Sequence, residues 1–120
     1  MKQTLNVLKV LAEESRLRIF MALQGRELCV CQLILLLGLA PSTTSKHLAL
    51  MYQAGIIEQR KDGRWAYYCI SSQWKKQNEF SQWLLANLDD SERIANDRAR
   101  LAEILLMPLD EICGVAVSKK

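Results

Sequence analysis

A chain of 120 residues has room for one compact domain, and 50% hydrophobic against 24% charged residues excludes a disordered one. The longest apolar run, Leu33 to Ala40, is far too short to cross a bilayer, and the N-terminus lacks a basic-then-apolar secretory pattern. A soluble, cytoplasmic protein without a membrane partner is expected. The net charge of +3 identifies no partner, but residues 1–78 hold eleven Lys/Arg against five Asp/Glu, whereas residues 79–111 hold three against eight. Any nucleic-acid surface should therefore lie in the first part.

Leu5, Leu8, Val10 and Leu11 form a stripe at helical spacing that stops at Glu13-Glu14-Ser15. Ser15 is placed to cap a second helix, with Leu17, Ile19, Phe20 and Leu23 on its buried face and Gly25 at its end. Leu33 to Leu37 form a short third helix closed by Gly38. Pro41 opens a fourth, with Ser42 or Thr43 as capping oxygens. On the fourth helix Leu48, Met51 and Tyr52 are expected to face the core, leaving Thr43, Thr44, Lys46 and Gln53 outside.

Two helices joined by Gly38-Leu39-Ala40 read as a helix-turn-helix. Ile56-Ile57, the polar stretch Arg60-Lys61-Asp62-Gly63-Arg64 and the run Trp65 to Ile70 then read as a two-stranded hairpin with a basic tip. The fold class is mostly α with a small β-hairpin, a winged helix-turn-helix. Further amphipathic helices follow, one from Ser72 carrying Trp74, Phe80, Trp83, Leu84, Leu85 and Leu88, another from Ser91 to Met107 before Pro108. Together with the first helix they carry more apolar surface than a monomer of this size hides, so a homodimer is expected. Residues 1–107 are assigned to a winged helix DNA-binding and dimerisation domain, and residues 108–120 to a C-terminal tail free to swing.

Near a helix N-terminus, Thr43, Thr44 and Lys46 suit phosphate oxygens and base edges in the DNA major groove, and Ser42 and Ser45 can do the same. Helix capping is the alternative use of the hydroxyls. Arg60, Lys61 and Arg64 at the hairpin tip read with Lys46 as phosphate contacts. His47, the only histidine, has no neighbour at ligand spacing and is expected to bond within the fold or touch DNA.

The strings Glu27-Leu28-Cys29-Val30-Cys31-Gln32-Leu33, Ser42 to Leu50, Ala54-Gly55-Ile56-Ile57, Asp62-Gly63-Arg64-Trp65 and Tyr68 resemble the ArsR/SmtB family of metal-responsive repressors, and within it the arsenical-resistance repressors. The resemblance covers roughly residues 5–88. It implies a homodimer bound to double-stranded operator DNA, with the fourth helix in the major groove and the wing along the backbone.

The four cysteines, Cys29, Cys31, Cys69 and Cys113, are expected to be reduced thiols rather than a disulfide framework. In a regular helix positions i and i+2 point to nearly opposite sides, whereas in extended chain they share a face. Cys29 is therefore placed before the third helix and Cys31 at its N-cap, where helix-terminal N–H groups favour a thiolate. Thiolates without imidazole or carboxylate partners select soft ions. As(III) or Sb(III) fits best, with Cd(II) and Pb(II) behind. Arsenical repressors often have a third cysteine three positions after the second; here Ile34 stands there, and Gln32 replaces a common Asp. The third ligand is left to Cys113 of either subunit, or to a solvent or small-molecule thiol. Cys69, on the wing strand, is expected to face away.

The expected function is repression of a metalloid resistance operon, with release from the operator when the inducer binds Cys29, Cys31 and Cys113. A thiol redox or persulfide switch of the same fold is the alternative. An enzyme is not expected: the chain has no nucleophile–base–carboxylate set and no phosphate-cradling glycine loop.

Overall fold

The computed structural model describes residues 1–76 and 78–118; Gln77 and tail residues 119–120 lie outside them. Helix α1 spans Lys2–Leu11 and buries Val10 and Leu11 while leaving Leu5 and Leu8 half exposed. Helix α2, Glu14–Ala22, is capped by Glu13 and not by Ser15 as expected. The Glu13 carboxylate accepts the backbone N–H groups of Ser15 and Arg16 at 3.0 and 3.2 Å, so Ser15 already lies in the first turn.

Strand β1, Leu28–Cys29, leads directly into helix α3, Val30–Leu37. Every residue of α3 from Cys31 to Leu37 is buried. A helix that is apolar all round must be covered all round, and α3 packs on α2, α4 and β3 and also on two C-terminal helices. Gly38 ends it in the left-handed region at φ 70°, which a side chain would resist. Helix α4, Pro41–Gln53, begins with Pro41 at its first position and Ala40 as N-cap, so Ser42 and Thr43 do not serve as N-caps. The chain turns by 114° between α3 and α4, within the range of a helix-turn-helix.

Strands β2, Ile57–Asp62, and β3, Trp65–Ile70, form the wing, with Asp62 paired to Trp65 across the tip. The turn residues are thus Gly63-Arg64. Gly63 has φ 61° and no other residue type in the described chain has positive φ, which suits a turn with glycine at its first central position. The wing is not two-stranded: β1 pairs antiparallel with β3, giving the order β1-β3-β2.

The helix expected from Ser72 is two, α5 (Ser72–Lys76) and α6 (Asn78–Leu88). Trp74 bridges Phe20 and Phe80 by edge-on ring contacts. Helix α7, Glu92–Leu105, is capped by Ser91. Residues of the expected tail form helix α8, Leu109–Ser118, which lies against α3 and buries Ile112. No single helix among the described residues is long and apolar enough to cross a membrane.

Candidate nucleic-acid interface and metal centre

Helix α4 presents Ser42, Thr43, Ser45, Lys46, Ala49 and Gln53 outward, a stripe at three- and four-residue spacing. Two expectations for this helix are corrected. Thr44 is fully buried and its hydroxyl has no hydrogen-bond partner, so it does not reach DNA. Tyr52 is 52% exposed and joins the outer face, because Leu48 and Met51 fill the inward positions. His47 bonds within the fold: its Nδ1 lies 3.1 Å from Arg16 and 3.6 Å from Glu13.

On the wing Lys61 is exposed and has no ion-pair partner among the described residues. The two arginines are engaged. Arg60 lies over the Tyr67 ring and donates two hydrogen bonds to the Glu27 carboxylate, at 2.7 and 3.0 Å. That contact lowers the Glu27 pKa and raises that of Arg60. Arg64 lies over Trp65 and donates to Asp110 of α8 at 2.6 Å. Glu27 and Asp110 had no signal in the sequence as functional residues, since their partners stand 33 and 46 positions away.

Cys29, with extended φ and ψ of −73° and 149°, is itself the N-cap of α3, and Cys31 is the second residue of the helix. This shifts the expected positions by two residues. Gln32 reaches back to accept the Cys29 N–H at 2.8 Å, half of a capping box, which occupies its side chain with structure rather than ligation. Docking of α8 brings Cys113 to the same place. The sulfurs of Cys29, Cys31 and Cys113 all lie within 4.8 Å of one another, with the two α3-side cysteines buried. Against the expectation of reduced thiols, Cys31 and Cys113 are joined by a disulfide. Their Cα atoms are 5.0 Å apart although 82 residues separate them in sequence. Cys69 is a free thiol on β3, outside this group.

A helix-turn-helix with a polar outer face, followed by a basic-tipped hairpin, defines a winged helix-turn-helix DNA-binding protein. The family described as bacterial regulatory protein, arsR family, matches residues 5–59. The arsenic resistance transcriptional regulator ArsR1 of Pseudomonas putida is 37% identical over 82% of this chain and 77% of its own length. The arsenical resistance operon repressor of Escherichia coli is 33% identical over 80% and 78%. A cadmium resistance transcriptional regulatory protein, CadC, of Listeria innocua is 38% identical over 53% and 55%. Among solved structures, reduced HlyU from Vibrio cholerae superposes with a TM-score of 0.62 at 33% identity, covering 72% of this chain and 88% of that one. The homodimeric winged helix-turn-helix domain of Mb0332 from Mycobacterium bovis gives 0.63 at 26% identity, over 73% and 82%. The chain belongs to the ArsR family of bacterial transcription regulators, and it is a DNA-binding protein, not an enzyme.

Proposed function

We propose that this protein is a homodimeric repressor of a metalloid resistance operon that leaves its operator when As(III) or Sb(III) is bound by Cys29, Cys31 and Cys113. The observation that carries the reading is the convergence of three sulfurs within 4.8 Å at the start of α3. An all-thiolate site selects soft ions over zinc or nickel. The names of the Pseudomonas and Escherichia relatives point to arsenic, and that of the Listeria relative makes cadmium the next candidate.

In this reading the outer face of α4 enters a major groove about 12 Å wide while the wing follows the phosphates. Ser42, Thr43, Ser45 and Lys46 face base edges and backbone; Lys61, Arg60 and Arg64 face phosphates. Two subunits hold their α4 helices about 34 Å apart, one turn of DNA. Metalloid capture draws β1, α3 and α8 together beneath α4, and a coupling of about 1–3 kcal/mol would weaken operator binding by about 5–150-fold.

The test is fluorescence anisotropy of labelled operator under reducing conditions, with arsenite, antimonite, cadmium and zinc titrated in turn. Cys29→Ser/Cys31→Ser and Cys113→Ser should bind operator normally and no longer release it with arsenite. Normal release from the double variant would overturn the ligand assignment. A thiol redox switch is the second reading, favoured by the Cys31–Cys113 disulfide and by the similarity to HlyU, which was solved in a reduced form. Release by oxidant alone, with arsenite silent, would select it.

A further inference from the structure

We propose that Glu27 and Asp110 are regulatory carboxylates which, when the thiol site closes, hold Arg60 and Arg64 away from operator phosphates. The inference rests on the thiol-site reading and adds a direct route from the cysteines to the wing.

Each carboxylate is carried by a segment that bears a thiol. Glu27 precedes Cys29 by two residues and enters β1, which is paired with the wing strand β3. Asp110 and Cys113 stand three residues apart on α8, the spacing at which side chains share one side of a helix. With Cys113 on Cys31, α8 is seated and Asp110 lies 2.6 Å from Arg64 at the wing tip. Along the row where Cys29, Tyr67 and Arg60 pair across the sheet, Arg60 reaches over the Tyr67 ring to Glu27 at 2.7 Å. Both wing arginines are thus already paired in the state that has the thiols together.

The pairs are exposed: the Arg64 and Asp110 side chains keep 73% and 78% of their surface, and those of Arg60 and Glu27 keep 53% and 36%. An exposed pair between untethered groups is weak, and a DNA phosphate competes for the same guanidinium. Tethering changes the balance. Once α8 is fixed at Cys31, Asp110 is presented to Arg64 at a high effective concentration. The clamped wing then loses cations and offers carboxylates to the phosphate backbone, and both effects lower affinity for every DNA sequence.

Salt dependence reads this directly, because each phosphate contact contributes about 0.9 to the slope of log K against log salt. On that slope one contact is worth roughly fivefold in affinity at about 0.15 M salt. Operator affinity would be measured across salt for the wild type, Asp110→Asn and Glu27→Gln. Each would be open under reductant and closed by arsenite, with occupancy followed by counting free thiols. Closing should flatten the wild-type slope by about 0.9 for each arginine withdrawn. Each variant should keep wild-type arsenite stoichiometry and recover about 0.9 of slope and roughly fivefold of affinity per subunit in the closed state. Equal slopes for closed wild type and both closed variants at full thiol occupancy would overturn the proposal.

A second closure separates this from failure of the thiol-site reading. Diamide takes two electrons and two protons from Cys31 and Cys113, forming their disulfide and a hydrazine. If arsenite consumes no thiols the metalloid reading fails, while the disulfide-closed proteins still report whether Asp110 and Glu27 flatten the slope. Failure of diamide to join Cys31 to Cys113 would overturn the clamp, since α8 would not lie where it must.

Discussion

Cys29 and Tyr67 stand opposite one another where β1 pairs with β3. The residue that caps α3 is therefore also a member of the wing's sheet, and the Tyr67 ring is the surface on which Arg60 rests. A displacement at Cys29 has two outlets: along α3 to α4, and across the ladder to the wing. Interiors packed to crystal-like density transmit such shifts rather than absorb them.

Thr44 gives a prediction that runs against its polarity. Its side chain is fully buried and its hydroxyl is unpaired, which costs about 1–3 kcal/mol relative to a satisfied or exposed group. Thr44→Val keeps the branched shape and removes the orphaned oxygen. The variant should unfold at a higher urea midpoint with unchanged m-value, a gain on the order of 1 kcal/mol. Its preference among operator sequences should equal that of the wild type. Altered preference would return Thr44 to the DNA face.

The helix-turn-helix and the wing were legible because their signals are local. Gly38 and Pro41 punctuate two apolar helices, and Gly63 marks the hairpin between β-prone runs. What was hidden is non-local or decided by competition between neighbours. Strand β1 is two residues long and exists only because Tyr67 and Tyr68 lie beside it. The arrival of Cys113 depends on α8 covering a helix with no polar side, a need that residues Cys31 to Leu37 announce without saying what meets it. Thr44 and Tyr52 misled because residue polarity outvoted helical position. The cap of α2 misled because Glu13 precedes the more usual capping residue Ser15.

Glu13 makes acid stability testable. Burial raises its pKa, but the Ser15 and Arg16 N–H groups and the nearby His47 and Arg16 charges together lower it below 4.5. A carboxylate with a depressed folded pKa contributes stability that is complete above its unfolded value, about 4.3, and lost as pH falls through the folded value. Glu13→Ala should cost on the order of 1 kcal/mol at neutral pH, as a lost N-cap does. The difference from wild type should shrink in urea titrations below about pH 4. A constant difference down to acid pH would show that the carboxylate charge is not the source.

Arg18 and Asp97 form a buried two-pronged ion pair, with N···O distances of 2.8 and 2.9 Å, that ties α2 to α7. Arg18 also donates to the Leu36 carbonyl at the end of α3, where a cation meets the negative end of the helix. Removing one partner leaves the other charge unpaired and largely shielded from solvent, with side chains only 10% and 12% exposed. Arg18→Met or Asp97→Leu alone should therefore cost about 3–5 kcal/mol. The double substitution should recover most of that loss, because the interior then holds two apolar groups and no unpaired charge. A double-mutant cycle from denaturant unfolding measures the coupling. Simple additivity of the two losses would mean that the pair does not act as a unit.

Leu5 and Leu8 carry the prediction on assembly. Each is 49% exposed on α1, three residues apart and so on one face. On α6 Trp83 is 59% exposed, stacked on Phe80. Between α1 and the α5–α6 segment runs a groove of about 300 Å³ lined by Val7, Leu8, Trp74 and Phe80. Side chains of this size release roughly 1.5–3 kcal/mol each when fully removed from water, so covering them with a second copy is a strong drive to associate. Leu5→Lys/Leu8→Lys alters only half-exposed positions and should leave the helical circular dichroism intact. In sedimentation at micromolar concentration the wild type should run as a dimer and the variant as a monomer. Operator binding should fall with it, because a single subunit reads only one half-site. A wild-type monomer, or a variant that remains dimeric, would remove α1 from the interface.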